Sequence, residues 1–126
     1  MGPGDRILVV EDDDDIREVV GEVLSSEGYR VDVAKDGIDA LAKLDGTGRP
    51  PLILLDMMMP RMDGETFLRA LRDQPSLADA SVVVISGNAA VREKASTLHV
   101  AGCLVKPFEL DELLGLIRRL PRSKTH

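Results

Sequence analysis

Tryptophan is absent from this chain, and its aromatic side chains are Tyr29, Phe67 and Phe108. That leaves little for stacking on bases or sugars. Cysteine is nearly absent: Cys103 alone can form no internal disulfide and offers no zinc constellation. No apolar run reaches membrane-spanning length, and Met1-Gly2-Pro3-Gly4-Asp5-Arg6 lacks the long apolar segment of a signal peptide. Arg6 stands where myristoylation would need Ser or Thr. These absences predict a cytoplasmic protein with no membrane association. Positive charge is in deficit as well: a net charge of −6 argues against direct nucleic-acid binding, which needs a positive stripe. Neither G-x-G-x-x-G nor a P-loop is present, so an NAD or NTP enzyme has no support.

What is there is a chain of 126 residues, one domain long enough to bury a proper core. Arg6-Ile7-Leu8-Val9-Val10 reads as a short buried strand running into Glu11-Asp12-Asp13-Asp14-Asp15. Ile16, Val19, Val20, Val23 and Leu24 then fall on one helical face, with Gly28 as a left-handed cap. Tyr29 to Ala34 alternates as a half-exposed strand, and Asp36-Gly37 turns into a helix facing inward with Ala40, Leu41 and Leu44, ended by Gly46 and Gly48. Leu52 to Leu55 is a strand buried on both faces that stops at Asp56, beyond which Pro60 and Met62-Asp63-Gly64 forbid its continuation. A helix with Phe67, Leu68 and Leu71 stops before Pro75. The strand Ser81 to Ser86, a short helix around Val91, Ala95 and Leu98, the strand Gly102 to Lys106 and a helix with Leu110, Leu113, Leu114 and Ile117 complete the chain. Five strands alternating with five helices predict an α/β fold, a (βα)5 doubly wound parallel sheet with helices on both faces.

Such a sheet has one ligand crevice, outside the carboxyl ends of its strands. Glu11 and Asp12 stand at the end of strand one, Asp56 of strand three, Ser86 of strand four and Lys106 of strand five. On its own stretch Asp56 fits equally well an aspartate that merely opens a turn. Three neighbouring carboxylates repel one another unless a cation sits among them or their pKa values rise. Oxygen-only ligands of this kind suit Mg²⁺. Lys106 adds a flexible point charge and Ser86 a hydroxyl donor, so the set is equipped to put a phosphoryl group on Asp56. Asp13, Asp14 and Asp15 read instead as N-cap and first-turn charges.

Ile7-Leu8-Val9-Val10-Glu11-Asp12-Asp13, Leu54-Leu55-Asp56 through Met62-Asp63-Gly64, Val84-Ile85-Ser86-Gly87 and Val105-Lys106-Pro107-Phe108 resemble, in that order, the receiver domain of bacterial two-component response regulators. The resemblance spans residues 5–120 and leaves short tails at 1–4 and 121–126. It implies a flavodoxin-like sheet of strand order 2-1-3-4-5. It also implies that Asp56 is the phosphoacceptor in a phosphorelay, with Mg²⁺ bound by Asp12, Glu11, Asp56 and the backbone carbonyl of Met58. Ser86 would be the switch hydroxyl, Lys106 the bridge to the phosphoryl group, and the Lys106-Pro107 bond cis. The donor would be a sensor histidine kinase or phosphotransfer protein, and the output a change in contacts with another protein. The domain would catalyse only its own phosphorylation and dephosphorylation.

Three features depart from the family pattern. Cys103 stands where the family's switch aromatic belongs, and reads as a small packing residue. The span from Ser86 to Lys106 is short, which predicts a shortened or irregular fourth helix. Met58 and Asn88 occupy positions that tune water's access to the acyl phosphate, and an apolar Met58 predicts slow self-hydrolysis. The first two leave open an adaptor whose output is uncoupled from phosphorylation. An aspartyl-phosphate phosphatase is disfavoured, because that class places an aspartate where Met58 stands. Arg118, Arg119, Arg122 and Lys124 read as charges at a helix C-terminus, and neither His99 nor His126 as a phosphodonor. The chain reads as a stand-alone receiver or one excised from a longer protein.

Overall fold

The computed structural model describes residues 1–45, 50–59 and 62–121, with 94–96 described by backbone only. Its strands are β1 (Arg6–Val10), β2 (Arg30–Ala34), β3 (Leu52–Asp56), β4 (Val82–Ser86) and β5 (Gly102–Val105). The helices are α1 (Asp14–Ser26), α2 (Gly37–Leu44), α3 (Gly64–Asp73), α4 (Val91–Leu98) and α5 (Leu110–Arg119). All strand pairs are parallel, in the order β2-β1-β3-β4-β5.

Hydrophobic continuity sorts the strands. β3 and β4 are buried at every residue and sit centrally, whereas β2 and β5, more mixed, take the edges. Period-two alternation then divides the core between the two faces. Leu8, Val10, Ile53, Leu55, Val82 and Val84 pack with Leu44 of α2 and Phe67 and Leu71 of α3. Ile7, Val9, Leu52, Leu54, Val83 and Ile85 pack with Leu24 of α1 and Leu113 and Ile117 of α5.

The helix ends follow their caps. Asp13 accepts the amide of Ile16, Asp36 that of Asp39 and Asp63 that of Thr66. Gly28 takes φ +94° after α1, as its expected left-handed role requires. The Lys106-Pro107 bond is cis. Tyr29, Ser81 and Lys106 lie just outside the strands expected to include them. α4 has eight residues, and the amides at its start (Val91, Arg92, Glu93) bond to carbonyls three residues back, in the tighter 3₁₀ pattern. That matches the short, irregular helix expected there. Gly46, Gly48, Pro60, Arg61, Arg122, Lys124 and His126, to which the sequence assigned helix stops, a turn and terminal charges, lie outside the described residues.

The apolar face of α1 is buried only towards its C-terminal half, at Val20 and Leu24, while Ile16 and Val19 are exposed (36% and 49%). Ile16 and Val19 line an open groove instead of the core. Val19, Val20, Pro107, Phe108 and Leu110 share this groove, of about 540 Å³, with Lys106 at its edge.

Candidate functional site

Strand register brings the strand ends level. Val10 pairs with Leu55, Asp56 with Ile85 and Ser86 with Val105, so Glu11, Asp56, Ser86 and Lys106 emerge on one edge of the sheet. Glu11, Asp56 and Ser86 are the buried polar residues of this edge. Each strand end is fixed by backbone bonds. The amide of Glu11 donates to the carbonyl of Ala34 at 3.0 Å, that of Met57 to Ile85 at 2.9 Å, and that of Lys106 to Ser86 at 2.8 Å.

The side chains converge accordingly. Carboxylate oxygens of Glu11, Asp12 and Asp56 all lie within 4.8 Å of one another. Lys106 Nζ stands 3.3 Å from Glu11 Oε1 and 3.5 Å from Asp56 Oδ2. The other oxygen of Asp56, Oδ1, accepts the amide of Met58 at 3.0 Å. Ser86 Oγ accepts the amide of Asn88 at 3.1 Å, which leaves its proton for another acceptor. The loop after β3 is close-packed: a Cβ built on Gly64 would lie 2.8 Å from the Cα of Met57, a backbone atom that cannot step aside. The amide of Gly64 donates to the carbonyl of Met57, so the α3 N-terminus is drawn against the residue after the aspartate.

The electrostatics show an excess of negative charge. Burial first, then hydrogen bonding and repulsion from Asp56, push Glu11 up to about 8, against the pull of Lys106. Burial works to lower the Lys106 ammonium, but Asp56 and Glu11 together hold it above its ordinary value. One ammonium thus faces three carboxylates. Such a cluster is relieved either by a proton on Glu11 or by a second cation. Three oxygen donors within reach of one another fit a hard divalent ion that retains waters, as Mg²⁺ does.

Every residue expected at the site is at this edge, but not in equal company. Glu11, Asp12 and Asp56 cluster together, Lys106 contacts Glu11 and Asp56, and Ser86 occupies the adjacent strand end. Met58 contributes its amide to Asp56, while its side chain is 74% exposed, so burial gives the expected shielding no support. Cys103, partly buried, packs against the core on the α2–α3 face of the sheet. Asp13, Asp14 and Asp15 are the cap and first turn of α1. Sequence reasoning missed Arg17, whose Nη1 donates to the backbone carbonyl of Glu11 at 3.0 Å. A basic residue in the first turn of a helix is at the wrong end for the helix dipole, and that anomaly was the available signal.

The chain is similar to known proteins in sequence and in fold. A family profile described as the response regulator receiver domain matches residues 7–118. The response regulator MprA of Mycobacterium sp. (strain KMS) is 41% identical over 119 residues, covering 93% of this chain and 50% of that protein. The chain thus spans about half the length of the curated relatives it matches. Among solved structures, the chemotaxis response regulator CheY4 of Vibrio cholerae superposes with a TM-score of 0.84 at 32% identity, covering 92% of this chain and 98% of that one. The response regulator TrrA of Thermotoga maritima, solved in complex with Mg²⁺-BeF, gives a TM-score of 0.79 at 33% identity, with coverages of 93% and 99%.

Proposed function

The chain belongs to the response regulator receiver domain family, and on that premise we propose that Asp56 accepts a phosphoryl group from a phosphohistidine donor. The observation that carries this reading is the buried Asp56 carboxylate clustered with Glu11 and Asp12, with the Lys106 ammonium 3.5 Å from it.

In the transfer an Asp56 carboxylate oxygen bonds to phosphorus as the phosphorus–nitrogen bond of the donor imidazole breaks. The electron pair of that bond leaves with the imidazole nitrogen, which takes a proton. Lys106, kept cationic by its two acidic neighbours, faces the charge on the transferred oxygens. The Ser86 hydroxyl, whose acceptor side is occupied by the amide of Asn88, has its proton to give to a phosphoryl oxygen. The amide of Met58 steadies the aspartate, and burial excludes bulk water from it. Glu11, Asp12, Asp56 and the carbonyl of Met58 would hold Mg²⁺, which when bound supplies positive charge that neutralises the phosphoryl oxygens. A sensor histidine kinase or phosphotransfer protein is the donor, and the α1–α5 groove beside Lys106 gives it an apolar resting surface. The output is a changed set of protein contacts. The domain catalyses its own phosphorylation and the later hydrolysis, and no other reaction.

Incubation with Mg²⁺ and acetyl phosphate tests this directly. Intact-mass spectrometry is expected to show one phosphoryl gain on the wild type and none on Asp56→Asn. Equal mass gain on both proteins, or on neither, would reject the assignment. In the latter case the uncoupled adaptor takes its place, a reading favoured by the ring-free Cys103 and the short α4.

A further inference from the structure

We infer that Arg17 is a positioning residue for the acidic pair, setting the backbone between β1 and α1 so that Glu11 and Asp12 reach the same cation as Asp56. The inference rests on the phosphoacceptor reading of that edge. Arg17 is the fourth residue of α1, where the positive end of the helix dipole disfavours a guanidinium. Its side chain is nevertheless only 21% exposed. It turns back across the helix start, with Nη1 on the carbonyl oxygen of Glu11 at 3.0 Å and Nη2 on Asp14 Oδ1 at 2.5 Å. A planar guanidinium can hold both acceptors at once, which an ammonium does less rigidly.

What Arg17 grips decides what it does. Glu11 is the hinge residue of this turn, its amide already bound to the carbonyl of Ala34 on β2. With the carbonyl bound to Arg17 as well, both faces of the Glu11 backbone are fixed. The Glu11 carboxylate then receives the amide of Asp13 at 3.4 Å, and Asp13 caps α1 by accepting the amide of Ile16. The chain from Glu11 to the first turn of α1 is therefore a closed set of bonds, with Arg17 as its return strut. Arg17 acts through the backbone: the charges that shift Glu11 are those of Asp56 and Lys106. Loss of a group that orients a metal ligand without touching the metal typically costs about 10- to 100-fold in affinity.

Three variants test this: Arg17→Met, Arg17→Lys and Asp14→Asn. In metal-free protein, amide hydrogen exchange at Glu11, Asp12 and Asp13 is expected to speed up in Arg17→Met while the amides of β3 and β4 keep their protection. Calorimetric titration with Mg²⁺ alone is expected to show binding weakened roughly tenfold in Arg17→Met. Arg17→Lys, which can still reach one carbonyl, should recover part of the loss, and Asp14→Asn should bind Mg²⁺ as the wild type does. Two results would overturn the inference: an Arg17→Met protein within twofold of the wild type in both readouts, or an Asp14→Asn protein that reproduces the loss. A wild type that neither binds Mg²⁺ nor gains a phosphoryl group overturns the reading of the whole edge, whereas a normal wild type with an indifferent Arg17→Met removes the role of Arg17 alone.

Discussion

Glu11 is buried among like charges, and its raised pKa links the site to the stability of the protein. In the unfolded chain this carboxyl titrates near its ordinary value of 4.5, in the fold at about 8. The native state therefore holds a proton that the unfolded state has released throughout that interval. Its contribution is fully present below 4.5 and is lost as pH rises through 8, so stability falls with pH. Urea unfolding in the presence of a chelator should give a lower midpoint at pH 8.5 than at pH 6, and Glu11→Gln should flatten the slope. Saturating Mg²⁺ should oppose the trend, because the metal competes with the proton. A midpoint that rises steadily with pH in chelator would contradict the assigned environment of Glu11. At this scale Glu11, Asp12, Asp56, Ser86 and Lys106 were legible because each stands at or just past the end of an apolar strand, and strand ends converge by topology alone. Arg17 was not, because its role depends on a side chain bending back over its own helix start.

Arg72, near the end of α3, shows how elements on the far side of the sheet are tied. Its Nη1 donates to the carbonyls of Ala78 and Ala80 at 2.8 Å, and Nη2 to that of His99 at 3.0 Å. One guanidinium thus joins α3, the approach to β4 and the turn before β5, where His99 sits at φ +55°. Burial lowers the pKa of Arg72, against the opposing field of Asp79, yet it remains charged at any ordinary pH. Arg72→Met keeps much of the packing and strands three carbonyls, one of them on buried Ala80. It should cost about 2 kcal/mol of stability, measured by urea unfolding, with Arg72→Lys recovering part of the loss. A change within experimental error for Arg72→Met would show that water replaces the clamp freely. Element types were readable from periodicity and caps: period two gave the strands their faces, and Asp13, Asp36 and Gly28 marked helix ends. The exposure of Ile16 and Val19 was hidden, since periodicity gives the apolar face of a helix but not how much of that face is covered.

For the whole molecule the cluster of Glu11, Asp12 and Asp56 is a local excess of charge that the rest of the fold holds together. The apolar layers on both faces of the sheet supply the stability that tolerates it, and strand order places it at one edge. Such a site assembles ligands from the turn after β1 and the end of β3, which are distant in sequence, so the unfolded chain cannot reproduce it. A cation that binds only the assembled site must then stabilise the entire domain by mass action. With Mg²⁺ at one hundred times its dissociation constant the gain is about 2.7 kcal/mol. Thermal melting should therefore shift upward with Mg²⁺ in the wild type. The same titration on Asp12→Asn, which keeps the volume but removes one charge, should give a much smaller shift. K⁺ at matched ionic strength separates specific binding from screening, because screening relieves the overall negative charge of the two proteins to nearly the same extent. Equal Mg²⁺ shifts in wild type and Asp12→Asn would mean that the ion acts on the surface as a whole, and the three carboxylates would lose their claim to be its site.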